Sequence, residues 1–115
     1  MTSGRRRARL SDEAAPELLW SARALADLRG IGDFIAREDP EAARRWVLKL
    51  TRAAERAKAF PESGRIVPEA GRSEIREILV RNYRIVYRIR PGRVEVLTVF
   101  EGHRLFVTGD VPEEP

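Results

Sequence analysis

The chain has 115 residues, enough for one domain with a single modest core. It has no cysteine and one histidine, which excludes disulfides, cysteine nucleophiles and metal sites built from thiolates or several histidines. No apolar run approaches the roughly 20 residues that span a bilayer, so we expect a cytoplasmic protein without a membrane partner. The formal net charge is +4, and residues 65–104 carry nine arginines against five glutamates, so the basic surplus lies there.

The first elements are an arm, a strand and a helix. Residues 1–16 lack hydrophobic periodicity and are predicted to form a flexible basic arm. A short apolar run at Leu18–Trp20 predicts a first strand. Apolar residues then recur at spacings of three and four from Leu25 to Ile35, which indicates a helix that Ser21 can cap.

A second helix is predicted to follow almost at once. Asp39 is typical of an N-cap, Pro40 fits the first helical position, and Pro61 would end the helix. The apolar residues between Ala43 and Ala57 share one face. Because the connection is so short, the two helices should pack as an antiparallel hairpin.

The second half of the chain predicts three strands. Residues 61–73 contain two prolines and two glycines and are expected to form a connecting loop. A turn near Arg81 and a second turn at Pro91–Gly92 separate runs rich in β-branched and aromatic residues. The runs cover residues 74–80, 82–89 and 94–101.

The predicted order is therefore β-α-α-β-β-β, an α+β fold. An N-terminal strand and an α-helical hairpin would pack on a small antiparallel β-sheet. We expect a single domain over residues 17–107, preceded by the basic arm and followed by an acidic tail at residues 108–115.

Side chains alternate along a strand, so the two faces of the hairpin can be assigned. The odd-numbered residues from Tyr83 to Ile89 share a face that the helices would cover. Arg84 and Arg88 lie on the other face, which we expect to be open to solvent. Such arginines either bind phosphates or a partner's carboxylates, or simply stand on a solvated surface.

The same alternation applies to the last strand. It predicts that Val96 and Phe100 share one face, whereas Glu95 and Glu101 share the other. The two glutamates are candidate cross-strand partners for the arginines of the neighbouring strand.

His103 and Arg104 come just after the last strand. A histidine beside guanidinium groups can serve as general acid or base in RNA cleavage, with arginine stabilising the charge on phosphorus. A single surface histidine can equally be inert, and the residues alone leave both readings open.

Six segments of the chain occur in the order that is found in one known family. They are residues 20–28, 35–43, 60–68, 75–78, 82–88 and 96–104. On these segments the chain resembles the RelE/ParE superfamily of type II toxin–antitoxin toxins over about residues 16–106. The resemblance implies the same α+β fold and a growth-inhibiting toxin of the plasmid-stabilisation type. It also implies a cognate antitoxin that binds the toxin in a hetero-oligomer.

The superfamily contains two activities. RelE-like members are mRNA interferases that cleave mRNA on the ribosome, and this is the activity we expect first. Side chains alone can run the attack of a 2′-hydroxyl, so no metal or cofactor is expected. The resemblance implies catalytic roles for Arg84, His103 and Arg104, and substrate binding by Arg76, Arg81 and Arg88.

Two alternatives remain open. ParE-like members poison DNA gyrase without cutting RNA, and a third possibility is a non-toxic relic that still binds its antitoxin. RelE itself carries a basic pair on the strand after the long loop, where this chain has Ile75 and Glu77.

Overall fold

The computed structural model describes residues 16–102, in which two helices pack on one face of a five-stranded sheet. Residues 1–15 and 103–115 lie outside the described residues. They comprise the predicted arm except Pro16, the last residues of the predicted domain and the acidic tail. The strands are β1 (Glu17–Trp20), β2 (Arg65–Ile66), β3 (Ile75–Val80), β4 (Tyr83–Arg90) and β5 (Arg93–Glu101), and the helices are α1 (Ala22–Ala36) and α2 (Pro40–Ala59).

The sheet has the strand order β1-β5-β4-β3-β2. Strand β1 pairs parallel with β5, and every other pair is antiparallel. The predicted α+β class is confirmed, and the first strand lies at an edge of the sheet. The loop prediction for residues 61–73 was incomplete, because this segment contains a 3₁₀ turn at Pro61–Ser63 and the strand β2. Two residues are too few to produce an alternating pattern that sequence reading can detect.

Both helices begin where their capping residues predict. Ser21 Oγ accepts from the Ala24 amide at 3.0 Å, and it also donates to the Leu97 carbonyl, so it fixes the start of α1 to β5. Asp39 Oδ1 accepts from the Ala42 amide at 3.1 Å at the start of α2. Both bonds satisfy backbone donors that a helix terminus leaves unpaired.

The main core lies between the helical hairpin and the sheet. Small alanines on both helices let their backbones approach the β-branched residues of the strands, and Trp46 stacks edge-on against Tyr83 with ring centroids 5.2 Å apart. Tyr83 and Tyr87 are buried, as predicted. Fully buried members of this core are Ala24, Leu50, Ala53, Ala54, Ile85 and Val96.

The opposite face of the sheet is also covered, which corrects the prediction that the arginine face is open. Val67 and Ala70, in the loop between β2 and β3, fold back over this face and pack in one cluster with Val86 and Phe100. The loop is anchored by the Val67 amide, which donates to the Ile75 carbonyl at 3.0 Å. A loop rich in proline and glycine gave no sequence signal that its few apolar side chains would cover a sheet.

Strand β5 does not keep strict alternation. Val96 and Val99 both pack in the core under the helices, whereas Leu97 and Phe100 pack on the opposite face. The pairing of β4 with β5 shifts register between Val86 and Tyr87, the signature of a β-bulge. The prediction that Val96 and Phe100 share a face was therefore wrong, because one extra residue reverses the phase of the strand.

The hydroxyl groups of Tyr87 and Tyr83 allow the contribution of hydrogen bonding to stability to be distinguished from that of ring packing. Tyr87 Oη donates to the Pro61 carbonyl at 2.6 Å and accepts from the Gly64 amide at 3.1 Å. Tyr87→Phe should lower the free energy of unfolding by about 1–3 kcal/mol, because buried backbone groups lose their partner. Urea denaturation measures this change. The hydroxyl of Tyr83 has no hydrogen-bond partner among residues 16–102, so Tyr83→Phe should change stability by less than about 0.5 kcal/mol; equal losses would contradict the account.

Candidate functional site

Arg84 lies at the centre of the sheet face that the loop covers. Its Nε donates to Glu77 Oε1 at 2.7 Å, its Nη2 contacts the same oxygen, and its guanidinium lies 5.3 Å from the centre of the Phe100 ring. Glu69 Oε2, on the covering loop, is 3.7 Å from Nη2. Only 7% of Arg84 is exposed, so the predicted catalytic arginine is brought into a neutralised, mostly dry environment.

Glu77 binds two arginines, and the strand register explains why. Arg65 of β2 stands directly opposite Glu77 in β3, and Arg84 of β4 stands opposite Leu79, one diagonal step from Glu77. Arg65 Nε donates to Glu77 Oε2 at 2.7 Å, so each carboxylate oxygen binds a different guanidinium. We call this arrangement the Arg65–Glu77–Arg84 triad.

The triad is asymmetric in its exposure. Glu77 is 1% exposed, whereas the Arg65 side chain is 62% exposed and extends from the edge of the sheet into solvent. A buried carboxylate is tolerated only when it is paired and hydrogen-bonded. Arg84 is the partner that supplies this compensation from inside, and its charge is therefore used by the fold.

Arg88 forms a second ion cluster on the same face. It is 4% exposed, its Nη2 donates to Glu95 Oε1 at 2.8 Å, and Arg93 Nε donates to Glu95 Oε2 at 2.9 Å. Arg88 and Glu95 are direct cross-strand partners, which is one of the pairings that the sequence left open. Burial raises the pKa of Glu95, but the hydrogen bonds and charges of the two arginines outweigh burial and hold that pKa below 4.5.

The two other predicted binding arginines have different environments. Arg76 donates to three backbone carbonyls, those of Ser73, Glu62 and Gly64, at 2.8–3.1 Å. It thereby attaches the 3₁₀ turn to β3. Arg81 is exposed and occupies the turn between β3 and β4 with φ of 58°, so its side chain is accessible to a ligand.

The end of β5 returns to this site. The Gly102 amide donates to the Asn82 carbonyl at 2.6 Å, and a Cβ placed on Gly102 would lie 3.9 Å from Cγ and Cδ of Arg84. The chain therefore leaves the described structure beside the stem of Arg84 and the turn that carries Arg81. His103 and Arg104 follow directly but lie outside the described residues, and their catalytic roles stay predictions.

Sequence reading did not identify Glu77 and Glu69 as partners of Arg84. Glu77 had a usable signal, since a glutamate among the apolar residues of an inner strand requires a cation. Its register against Arg84 could have been derived from the Arg81–Asn82 turn. Glu69 had no such signal, because the path of the covering loop is set by tertiary contacts.

Apolar side chains are exposed on two other parts of the surface. Phe34, 67% exposed, borders a groove of about 460 Å³ between α1 and the sheet, which Ile31 and Val99 also line. Phe60 and Leu79 border a second groove of about 420 Å³ beside the short strand β2. Grooves bordered by exposed apolar side chains are candidate surfaces for protein contact.

Two further features bear on function. Within residues 16–102, no three histidine or carboxylate side chains come together as a metal-ligand set. Neither helix in that range is long and apolar enough to cross a bilayer.

Comparison with known proteins identifies the family. The model for the ParE toxin of the type II toxin–antitoxin system parDE matches residues 18–106. Toxin RelE2 of Caulobacter vibrioides is 36% identical over 90 residues, which cover 77% of this chain and 98% of the relative. The putative toxin Y4kP of Sinorhizobium fredii is 39% identical over 88 residues, covering 74% and 86% of the two chains.

The fold comparison agrees. A chain of the chromosomal ParDE TA system from P. aeruginosa superimposes with a TM-score of 0.64 at 19% identity, covering 76% of this chain and 96% of that one. Helical hairpin, sheet and sequence thus define a type II toxin of the RelE/ParE superfamily. The chain belongs to the ParE toxin family, and membership implies an antitoxin partner.

The triad makes a sharp stability prediction. Glu77→Ala should lower the free energy of unfolding by about 3 kcal/mol, because the buried Arg84 loses the carboxylate that binds its Nε and Nη2 and keeps only the more distant Glu69. The double variant Glu77→Leu/Arg84→Met should recover most of this loss, because it removes both charges together.

Glu74→Ala is the matched control. Glu74 pairs with Arg72 at 2.8 Å, but both side chains are more than a third exposed, so the loss should stay within about 1 kcal/mol. Urea denaturation of the parent and the three variants measures these free energies of unfolding. A double variant as unstable as Glu77→Ala would contradict the view that Glu77 and Arg84 stabilise the fold as a pair.

The Glu95 cluster predicts a pH dependence. The pKa of Glu95 is lower in the folded chain than its ordinary value of 4.5, so the unfolded chain binds more protons between the two values. The ionised carboxylate therefore stabilises the fold above pH 4.5, and this contribution is lost as the pH falls through the folded pKa.

The variant Glu95→Gln should be less stable than the parent by about 1–3 kcal/mol at pH 7. The difference should shrink as the pH falls below 4.5. Urea denaturation at a series of pH values measures it, and a difference independent of pH would contradict the assignment.

Proposed function

We propose that this toxin stops growth in the cytoplasm by binding a protein target, DNA gyrase, in the manner of ParE, and that a cognate antitoxin neutralises it. The observation that carries the proposal is the burial and neutralisation of Arg84 in the Arg65–Glu77–Arg84 triad. This reverses the order of the two activities expected from the sequence.

Cleavage of RNA would place a specific requirement on Arg84. A guanidinium that stabilises the charge developing on phosphate must contact that charge directly. Here Glu77 occupies the guanidinium of Arg84, and Phe100 and the covering loop shield it from solvent. Phosphate binding would require displacement of a buried carboxylate, which would then lose its inner partner at a cost of several kcal/mol.

The apolar grooves support a protein-binding mode of action and a protein antitoxin. Phe34 and Phe60 leave about two-thirds of their surface in water, 67% and 68%. An amphipathic helix laid against α1 would bury Phe34 and fill the adjoining groove, the helix-in-groove mode of recognition. Acidic residues on such an antitoxin would complement the positive net charge of the toxin.

Ribosome-dependent mRNA cleavage is the second candidate. It is favoured by the 36% identity to a protein named Toxin RelE2 and by the exposure of Arg81 beside the end of β5. In this mode His103 would act as acid or base, and Arg104 and Arg81 would bind phosphate without a metal. Arg84 would then act only after the triad opens.

The two candidates differ in which synthesis stops first. After induction without antitoxin, pulse labelling should show DNA synthesis falling before protein synthesis, with filamentous cells and intact mRNA. Protein synthesis that falls first, with mRNAs cut inside translated codons, would replace the proposal with the second candidate. Unimpaired growth, with the protein present at normal levels, would indicate a non-toxic relic and would reject both.

The variant Glu77→Leu/Arg84→Met tests the role of the arginine itself. It removes the guanidinium while keeping a packed, uncharged face, and the proposal expects toxicity within about threefold of the parent. Growth after induction is the readout, and co-purification with the antitoxin verifies that the variant is folded. Loss of toxicity in a variant that still binds the antitoxin would show that the guanidinium is needed for toxicity.

A further inference from the structure

One side of α2 carries cations that the fold does not use. Arg45, Lys49, Arg52 and Arg56 are all exposed and follow one another at spacings of four, three and four residues, which aligns them on one side of the helix. At a rise of about 1.5 Å per residue, the row extends over roughly 16 Å. We call these four residues the basic stripe.

The carboxylates of α2 do not neutralise the basic stripe. The helix contains two acidic residues, and both pair with cations outside the stripe: Glu41 with Arg44 at 3.7 Å, and Glu55 with Lys58 at 3.2 Å. Among residues 16–102, no ion pair within 4.0 Å involves a member of the stripe. In the same range, one member of the stripe makes an electrostatic contact with an aromatic ring: Lys49 Nζ lies 4.8 Å from the centre of the Trp46 ring.

The stripe borders a groove in which Leu48 is the one apolar residue of the described chain. Arg45, Lys49, Arg52 and Arg56 line a groove of about 380 Å³ whose remaining wall is the half-exposed Leu48. A partner helix would need several apolar anchors at helical spacing, and one leucine does not provide them. The stripe therefore suits a ligand that offers a line of anionic charge.

We propose that the basic stripe of α2 binds the phosphate backbone of double-stranded DNA, without reading sequence. The inference does not depend on which target the toxin has. Regular spacing of charge on a rigid helix matches a regular polyanion, and arginine suits phosphate particularly well.

Two other nucleic acids fit the stripe less well. Single strands are held by aromatic platforms on which the bases stack, but the aromatic ring next to the stripe, Trp46, is half-buried and lies under Lys49. The major groove of B-DNA is about 12 Å wide, so α2 can lie along it with the stripe against the phosphates of one strand, whereas the major groove of duplex RNA is too deep and narrow for this. Duplex DNA is therefore the ligand to which the structure points.

The test is fluorescence anisotropy of the full chain with a labelled 30-base-pair duplex of mixed sequence. Four phosphate contacts predict that log K falls with log salt at a slope of about −3.6 from the stripe alone. The variant Arg45→Gln/Arg52→Gln/Arg56→Gln should reduce that slope by about 2.7 and weaken binding on the order of 100-fold at 0.1 M salt.

The matched control is Arg29→Gln/Arg37→Gln/Arg72→Gln, which removes the same charge from exposed arginines that do not lie on α2. The affinity of this control for the DNA duplex should stay within about threefold of the parent's. Charges away from the stripe act on the bound DNA only through a field that is screened over about a Debye length. Equal losses in the two triple variants would overturn the proposal.

Two companion probes of the same length complete the design, a single-stranded DNA and a duplex RNA. Weaker binding of both supports the assignment to double-stranded DNA. Tighter binding of either one, or no binding of the DNA duplex by the parent at 50 mM salt, would overturn it. Circular dichroism of the variants verifies that α2 stays helical.

Discussion

The structure depends on a single buried carboxylate. Glu77 lies on β3, next to the edge strand β2, and the fold tolerates it because Arg84 and Arg65 bind one oxygen each. Both guanidiniums reach the carboxylate in the observed register of β2 against β3 and of β3 against β4. The charge that the fold uses in this way is that of Arg84, for which the family resemblance implies a catalytic role.

The loop between β2 and β3 covers the sheet face that carries Arg84 and Arg88, so both arginines are buried. A three-layer arrangement, with helices, sheet and loop, buries both faces and turns the arginines of β4 into structural ion pairs. The features that remain exposed lie elsewhere on the surface. They are the apolar grooves beside α1 and β2, the turn at Arg81, and the outer side of α2.

Sequence reading recovered the elements that have local signals. The caps Ser21 and Asp39 and the turn at Gly92, with φ of 76°, are encoded by neighbouring residues and were predicted. The burial and ion pairing of Arg84 were not predicted. They depend on cross-strand register and on a loop residue, Glu69, that lies more than a dozen residues away along the chain. The bulge beside Tyr87 was likewise invisible, since one inserted residue leaves the composition of the strand unchanged.

The most direct test of this account uses purified components. The full chain is incubated with DNA gyrase and supercoiled plasmid, and in parallel with a cell-free translation reaction containing a defined mRNA. The account predicts that linear plasmid accumulates from trapped cleavage complexes, that the antitoxin abolishes this, and that the mRNA stays intact. An mRNA cut at the ribosome, with gyrase unaffected, would contradict the claim that Arg84 is reserved for the fold.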